Sequence, residues 1–244
     1  MEQEKIAKGN RVVIAVDGPA GAGKGAVCRA VASQLQLAYL ETGAIYRALG
    51  LLALREGLQE DAAVVARATS MPFTYRSMGN GQFAAYLAEE EVTAALRAEA
   101  IGQSASRIAA IPAVRQALLA FQRHYGGVQH VILDGRDVGT IVWPDADLKI
   151  FLTASLQERA ERRVRELQET GKNANFTEIY AAMAERDQRD AGRSAAPLKP
   201  AADAVLVDTT TLTLAESIDR VLHLIKNTLN QAGFTCRESL VESR

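Results

Sequence analysis

The sequence predicts an α/β protein built on a five-stranded parallel sheet, and three observations support this fold class. Short apolar runs alternate with longer amphipathic stretches, which is typical of buried parallel strands connected by helices. Capping-box signals mark helix starts after two of these runs, at Ser155-x-x-Glu158 and Thr213-x-x-Glu216. The chain has 244 residues, of which 48% are hydrophobic and 23% charged, enough for one substantial core and an insertion. The predicted strands are 12–16, 37–40, 131–133, 148–152 and 204–207.

The first predicted strand leads directly into a glycine-rich loop. Residues 18–25 read Gly-Pro-Ala-Gly-Ala-Gly-Lys-Gly, and Val27, Val31 and Leu35 then share one face of a helix. Glycines permit a turn that aims several backbone N–H groups at one anion, and the helix N-terminus adds positive potential. The loop predicts a phosphate-binding site in which Lys24 reaches the terminal phosphates of a nucleoside triphosphate. The alternative is a strand-to-helix turn that binds no ligand.

The loop departs from the usual phosphate-loop pattern after its lysine. A Ser or Thr hydroxyl that meets Mg²⁺ usually follows the lysine, whereas this chain has Gly25 and Ala26. The ion must then be held by phosphates, water and acidic groups elsewhere, which Mg²⁺ tolerates. Because a lost hydrogen bond to a charged group costs roughly 1.5–3 kcal/mol, we expect weakened rather than abolished activity.

Charged residues follow two further predicted strands. The second strand ends at Glu41, and the helix after it places Arg47 near Lys24, where an arginine can bind a monophosphate through paired hydrogen bonds. A surface salt bridge with Glu56 is an equal alternative for Arg47.

The strand 131–133 ends in an acid, Asp134, which is a candidate to hold a Mg²⁺-bound water beside the loop. Arg136 and Asp137 follow in a glycine-flanked turn. Ordinary turn chemistry explains them in part, but a buried acid and an arginine at the ligand edge of a sheet favour a functional interpretation.

The long stretch between the second and third strands predicts an insertion, because residues 51–130 exceed one crossover helix. Within it, 73–75, 82–87 and 90–92 read as short antiparallel strands around Gly79-Asn80-Gly81. Helices are expected to follow from Thr93 and from Pro112.

Arginines are dense in two stretches near the C-terminal end of the predicted core. Phosphoryl transfer needs positive charge around the migrating group and exclusion of water, tasks suited to arginines on a closing lid. A solvated helix with internal ion pairs is a strong alternative for Arg162 and Arg165 and a weaker one for Arg186 and Arg193. The arginines considered are Arg159, Arg162, Arg163, Arg165, Arg186, Arg189 and Arg193.

Composition argues against several other classes of protein. A net charge of −1 argues against a general attraction to nucleic acid or membrane. Cys28 and Cys236 and three scattered histidines form no metal-ligand spacing and make a disulfide framework unlikely on composition. The N-terminal residues carry acids and no segment offers 18 uninterrupted apolar residues, so we expect a cytoplasmic protein.

Four strings together resemble the bacterial cytidylate kinases, a branch of the nucleoside monophosphate kinase family of P-loop proteins. They are Gly-Pro-Ala-Gly-Ala-Gly-Lys-Gly, Thr-Gly-Ala-Ile-Tyr-Arg, Asp-Gly-Arg-Asp-Val-Gly-Thr and Arg-Asp-x-Arg-Asp-x-x-Arg-x-x-x-Pro-Leu, and the resemblance runs over about residues 11–227. It implies direct in-line phosphorylation of CMP and dCMP by ATP with Mg²⁺, by a monomer that binds neither nucleic acid nor membrane. It also implies a single kinase domain at 11–232. This comprises a core at 11–57 and 111–232, an NMP-binding insertion at about 58–110 and a lid at about 159–193, with flexible tails at 1–10 and 233–244.

The resemblance also assigns site residues. The implied catalytic residues are Lys24, Arg136 and Arg186. ATP phosphates would be bound by Gly18, Gly21, Ala22, Gly23, Lys24, Gly25, Ala26, Arg159 and Arg163. Thr42, Arg47, Arg136 and Arg186 would surround the CMP phosphate, Ser106, Arg115, Asp137 and Arg193 would read the cytosine edge, and Asp190 would contact the ribose. Asp134 would hold Mg²⁺ through water.

The sequence departs from the family pattern at two positions, and two other functions remain as alternatives. Ala26 stands where the family usually has Thr, and Glu41 stands where Asp is common. One alternative is a kinase for another nucleoside monophosphate. The other is a nucleotide-binding regulatory module with weakened catalysis, for which Ala26 is the only positive sign. A GTPase is disfavoured because the guanine-reading string Asn-Lys-x-Asp is absent.

Overall fold

The structure is a computed structural model and describes residues 11–79, 82–126 and 130–234. These residues contain eight strands and eight α-helices, joined by loops and short helical turns. The strands are β1 (Val13–Asp17), β2 (Ala38–Glu41), β3 (Phe73–Gly79), β4 (Gln82–Leu87), β5 (Glu90–Glu91), β6 (Val131–Gly135), β7 (Leu148–Thr153) and β8 (Val205–Asp208). The α-helices are α1 (Lys24–Leu35), α2 (Thr42–Arg55), α3 (Asp61–Thr69), α4 (Glu99–Ile108), α5 (Pro112–Gly126), α6 (Leu156–Glu169), α7 (Phe176–Ala191) and α8 (Leu214–Gln231).

The central sheet has five strands in the order β2-β6-β1-β7-β8, and every pairing is parallel. The predicted fold class is therefore confirmed. Register pairs Glu41 with Asp134 and Asp17 with Gly135, so the carboxyl ends of three strands meet at one edge. The observed strand ends lie within two residues of the predicted ones. Loops after parallel strands gather at that edge, which is where ligands of such sheets bind.

Alternate residues of β1 serve opposite faces of the sheet, as the pleat requires. Ile14 and Val16 join a core with α1 and α8, while Val13 and Ala15 pack with a π-helical turn at Val138–Val142 and with Trp143. The β1 residues are buried along their whole length. Because helices cover both faces, the strand needs the continuous apolar sequence that first identified it.

A second sheet, β3-β4-β5, is antiparallel and packs with α2, α3, α4 and α5 in a separate hydrophobic cluster. The predicted antiparallel strands are confirmed, although Asn80 and Gly81 of the expected turn lie outside the described residues. The helix expected from Pro112 is confirmed as α5, whereas the one expected from Thr93 begins later, as α4 at Glu99. The Thr93 hydroxyl accepts a hydrogen bond from the Ala85 backbone, and extended Ala98 separates a 3₁₀ turn from α4.

The two predicted capping boxes form to different extents. Thr213 and Glu216 exchange both hydrogen bonds at the start of α8. Ser155 accepts from the Glu158 N–H, but the Glu158 carboxylate accepts from arginines of α6 instead of returning to the cap. Both residues therefore begin their helices as predicted, and only the second box is reciprocal.

Two further expectations concern the chain ends and the membrane. Residues 1–10 and 235–244, most of the predicted tails, lie outside the described residues together with Cys236. None of the helices that the structure describes has the length and apolar character needed to cross a membrane.

Gly135 should be required for stability where β6 meets the site. A Cβ atom there would lie 2.6 Å from Thr42 Oγ1 and 2.6 Å from Val138 Cγ2, both on stiff β-branched side chains. We expect Gly135→Ala to lower the free energy of unfolding by about 1–3 kcal/mol, measured by urea denaturation. The control Gly43→Ala meets only Glu41 Oε1 at 3.9 Å and should be neutral or stabilising. Equal stability of Gly135→Ala and the unmodified protein would contradict this packing.

Candidate functional site

A cavity of about 830 Å³ opens at the carboxyl edge of the central sheet. Its walls are the glycine-rich loop, the ends of β2 and β6, and parts of α4, α6 and α7. Elements that are far apart in the chain thus supply one concave surface. Such a surface is the usual place for a small-molecule site.

The structure brings most of the predicted site residues to this cavity. Those that line it are Gly21, Gly23, Lys24, Gly25, Ala26, Thr42, Arg47, Ser106, Arg115, Asp134, Arg136, Asp137, Arg159, Arg163, Arg186, Asp190 and Arg193. Gly18 and Ala22 are not among the lining residues. Ala22 is buried, and a Cβ on Gly18 would lie 1.9 Å from the Leu152 carbonyl oxygen, so the start of the loop packs against β7.

The loop ends where α1 begins, and its backbone conformation requires glycine. Gly21 and Gly23 have φ values of +77° and +91°, in the left-handed region that side chains rarely adopt. Gly23 directly precedes α1 and carries no side chain that could cap the first N–H groups. These N–H groups and the positive helix end therefore face the cavity as an anion-binding surface.

Lys24 is buried beside the loop, with one hydrogen bond to a backbone carbonyl and a longer contact to a carboxylate. Its Nζ donates to the Pro19 carbonyl at 2.9 Å and lies 3.9 Å from Asp134 Oδ1. Burial, followed by repulsion from Arg136, lowers the pKa of Lys24 to about 8. An anion in the cavity would stabilise the charged form of this side chain.

Asp134 is held at the end of β6 by contacts from β2 and α2. Its Oδ2 accepts a hydrogen bond from the Tyr39 hydroxyl at 3.2 Å, and its backbone carbonyl accepts one from Thr42 Oγ1 at 2.9 Å. Burial raises the pKa of the Asp134 carboxyl, and Lys24 opposes that rise. The Thr42 hydroxyl is therefore already used to join α2 to β6.

Positive charge accumulates where α2, β6 and α7 meet. Burial, followed by repulsion from Arg136, lowers the pKa of Arg186 to about 10, and the Arg186 Nε has no hydrogen-bond partner among the described residues. Arg47 donates to the Leu96 carbonyl at 2.7 Å, and burial lowers its pKa as well. The expected alternative partner, Glu56, instead accepts from Arg67. Arginines that repel one another in this way are suited to a shared anionic ligand.

Asp190 lies at the centre of a second, polar group. It accepts from Arg136 Nε at 3.2 Å, from Ser106 Oγ at 3.4 Å and from Arg193. Burial raises the pKa of Asp190, but Arg136 and Arg193 outweigh it and hold the pKa below its usual range. The structure therefore joins β6, α4 and α7 through one ionised carboxylate.

Arg115 and Asp137 form a buried ion pair beside this group. Arg115 also donates to the Ala109 carbonyl at 3.2 Å, and its guanidinium lies 5.3 Å from the Tyr46 ring centroid. The residues predicted from the family resemblance to read cytosine thus lie in one connected region. Paired carboxylate and guanidinium groups can recognise a ring that carries both hydrogen-bond donors and acceptors.

The arginines of α6 are engaged with protein groups. Arg159 donates to the carbonyls of Ala154 and Ala20 at 3.0 Å each and to Asp187 at 2.5 Å. Arg163 pairs with Glu166 and Glu99. Phosphate binding by Arg159 or Arg163 would require exchange of one of these bonds.

The ion-pair interpretation suits the other two arginines of α6. Arg162 and Arg165 both pair with Glu158. Arg162 also donates to the Thr209 carbonyl at 2.6 Å, which ties α6 to the end of β8.

Sequence reasoning missed three residues that organise the site. Tyr39 lies inside an apolar strand and gave no polar signal, whereas its hydroxyl contacts Asp134. Glu99 bonds Arg163 from α4, and Asp187 bonds Arg159 from α7. Of these three residues, only Asp187 had a sequence signal, because it lies within the Arg-Asp-x-Arg-Asp string.

Asp134 is the carboxylate best placed to assist a divalent cation. It lies beside the glycine-rich loop at the register position opposite Glu41, which also lines the cavity. In the part of the chain that the structure describes, no group of three or more His, Cys, Asp or Glu side chains could hold a metal ion. The donor set fits Mg²⁺ bound mainly by phosphates and water, with carboxylates hydrogen-bonded to that water.

Comparisons with known proteins identify relatives that match most of this chain. The chain is 54% identical over 221 residues to the cytidylate kinase of Magnetococcus marinus, covering 91% of this chain and 98% of that protein. It is 48% identical over 212 residues to the cytidylate kinase of Yersinia pestis, covering 86% and 92% respectively. A bifunctional pantoate ligase/cytidylate kinase of a Synechococcus species is 44% identical over 230 residues, covering 93% of this chain and 43% of that protein. The cytidylate kinase family model matches residues 14–227, and the chain therefore belongs to the cytidylate kinase family.

Proposed function

We propose that this protein transfers the γ-phosphoryl group of ATP to CMP or dCMP, giving ADP and CDP or dCDP. The observation that carries the proposal is the convergence of Lys24, Arg47, Arg136 and Arg186 on one cavity next to a glycine-rich loop. Neither Arg47 nor Arg186 forms an ion pair with a described residue, so both can engage phosphate oxygens. Relatives of this family that carry the name cytidylate kinase support the choice of acceptor.

The proposed roles follow the position of each group around the cavity. The loop at Gly21, Gly23, Gly25 and Ala26 and the side chains of Lys24, Arg159 and Arg163 bind ATP phosphates, whereas Gly18 and Ala22 support the loop from below the cavity. Thr42, Arg47, Arg136 and Arg186 bind the CMP phosphate, Asp190 contacts the ribose, and Ser106, Arg115, Asp137 and Arg193 read cytosine. The exocyclic amino donor and ring acceptors of cytosine suit an acid paired with arginines, which disfavours uracil.

Direct transfer is supported by the kind of side chains that face the cavity. Phosphoryl transfer depends on alignment of the two substrates and on stabilisation of charge on the migrating group. Lys24 supplies that charge from a buried position and Arg136 and Arg186 from half-buried ones, where electrostatic interactions are stronger than in bulk water. The proposal therefore includes no covalent enzyme intermediate and no dedicated general base.

Mg²⁺ belongs to this proposal through the chemistry of Asp134. When bound, the ion supplies charge neutralisation on the nucleotide phosphates. Asp134 and Glu41 would hold water molecules of its hydration shell, and Ala26 offers no hydroxyl to assist them. The protein contribution to metal binding would thus come from the sheet edge rather than from the loop.

The proposed kinase function also implies a division of the chain into a core, an insertion and a lid. Residues 11–57 and 111–232 form the core of one kinase domain, 58–110 the NMP-binding insertion and 159–193 the lid. The antiparallel sheet and the Glu99–Arg163 pair between α4 and α6 support two parts that meet over the cavity. We also propose that the enzyme acts as a monomer in the cytoplasm, on free nucleotides.

The proposed reaction is tested by ADP release from Mg·ATP with CMP, dCMP, UMP, AMP and GMP offered separately. Turnover should be rapid with CMP and dCMP and far slower with the others, because their rings do not match the donors and acceptors of the cavity. Rapid turnover with a different acceptor would identify another nucleoside monophosphate kinase. Binding of ATP and CMP without ADP release would favour a regulatory module.

The pH dependence of catalysis should report Lys24. Because its pKa is lowered to about 8 in the free protein, the ammonium loses its proton as pH rises through that value. ATP phosphates bind the charged form, so kcat/KM for ATP should fall above this pH. In Lys24→Arg the side chain keeps its charge and the residual activity should fall only at higher pH. The exposed control Lys199→Arg should retain the original profile, and an unshifted profile in Lys24→Arg would contradict the assignment.

A further inference from the structure

Tyr39 is a buried hydroxyl in an otherwise apolar strand. Its side chain is 2% exposed, and its ring packs in the hydrophobic cluster shared by β1, α1 and α8. A buried phenol needs a hydrogen-bond partner, because its desolvation is otherwise uncompensated. The partner here is Asp134 Oδ2, at 3.2 Å.

The Asp134 carboxylate is oriented from two sides. Lys24 Nζ lies 3.9 Å from Oδ1, and the Tyr39 hydroxyl donates to Oδ2. Among the described residues, Tyr39 is the only hydrogen-bond donor to this carboxylate. Oδ2 also lies 3.6 Å from the position of a Cβ on Gly25, so the group faces the glycine-rich loop. Without the phenol, rotation of the carboxylate would be restrained mainly by the longer contact to Lys24.

The ring and the hydroxyl of Tyr39 have separable roles. The ring packs against Phe83 of β4, with centroids 5.9 Å apart and an interplanar angle of 58°. Phe83 in turn stacks on Tyr75 at 5.1 Å and 12°. Phenylalanine at position 39 would keep these apolar contacts and remove only the bond to Asp134. A purely structural role and a role in orienting the carboxylate can therefore be distinguished.

We propose that Tyr39 is a positioning residue that fixes the orientation of the Asp134 carboxylate toward the metal-bound water of the nucleotide site. The inference rests on the proposed kinase function. Groups that hold a metal-associated carboxylate in place contribute to metal affinity without touching the ion. Because Ala26 gives this loop no hydroxyl, the orientation of Asp134 carries a larger share of metal positioning.

The test compares ATP binding with and without the metal in Tyr39→Phe. Calorimetric titration with ATP in excess Mg²⁺ and in EDTA gives the factor by which Mg²⁺ tightens binding. That factor should fall roughly tenfold in Tyr39→Phe, whereas the affinity for metal-free ATP should not change. Tyr86→Phe is the control. Tyr86 lies in β4, where its ring centroid is 4.3 Å from the Arg76 guanidinium carbon, and this variant should keep the original factor by which Mg²⁺ tightens ATP binding.

A double-mutant cycle with Asp134→Asn shows whether Tyr39 acts through Asp134. If it does, Tyr39→Phe should have no further effect on the Mg²⁺ factor in the Asp134→Asn background. Thermal unfolding of each variant confirms that it is folded, and all four proteins are titrated below the unfolding temperature of the least stable one, because the coupling requires all four. An unchanged Mg²⁺ factor in folded Tyr39→Phe, or equal effects of the substitution in both backgrounds, would overturn the inference.

The proposed function fails on a different observation. If the unmodified protein binds ATP more tightly with Mg²⁺ but forms no CDP from CMP, the kinase assignment is wrong while the role of Tyr39 is still measured by the cycle. If Mg²⁺ does not tighten ATP binding to the unmodified protein, the metal-positioning role of Tyr39 is overturned, whatever the turnover with CMP.

Discussion

Burial of positive charge at the carboxyl edge of the parallel sheet is the constraint on which the rest of the site depends. Lys24, Arg47 and Arg186 are each buried enough to lower their pKa values, and repulsion from Arg136 adds to the effect. Burial penalises charge unless an opposite charge compensates for it. The arrangement is consequently most favourable with a polyanion in the cavity, which is the physical basis for the proposed binding of phosphate-bearing ligands at this edge of the sheet.

The neighbouring carboxylates fix the elements that carry these cations and compensate part of their charge. Asp17 accepts from the backbone N–H groups of Val138 and Gly139, which fixes the turn after β6. Burial raises the pKa of Asp17 to about 7 despite these bonds. Asp190 of α7 accepts hydrogen bonds from Arg136, from Arg193 and from Ser106 of α4, and so ties Arg136 to both helices. The ends of the strands thus position the charged groups, and the flanking helices supply the side chains that pair with them.

The five-stranded sheet and much of the cavity were predictable because both depend on local signals. Buried parallel strands must be apolar on both faces, and their carboxyl ends gather at one edge, which places Lys24, Arg47 and Asp134 together. Other features depend on long-range packing. Ser106 and Arg115 resemble helix surface until Ser106 meets Asp190 of α7 and Arg115 meets Asp137 after β6, and the family resemblance rather than periodicity indicated them. Tyr39 and the partners of Arg159 became visible only when strands and helices distant in sequence came into contact.

The central claim is that the cavity requires the negative charge of its ligand, and thermal unfolding with CMP or cytidine tests it most directly. A ligand that binds only the native state stabilises it according to its affinity. CMP should raise the unfolding temperature, whereas cytidine at the same concentration should have little effect. Arg186→Met should lose most of the CMP response, while the exposed control Arg220→Met should keep it. Equal stabilisation by cytidine and CMP, or a full CMP response in Arg186→Met, would contradict the claim.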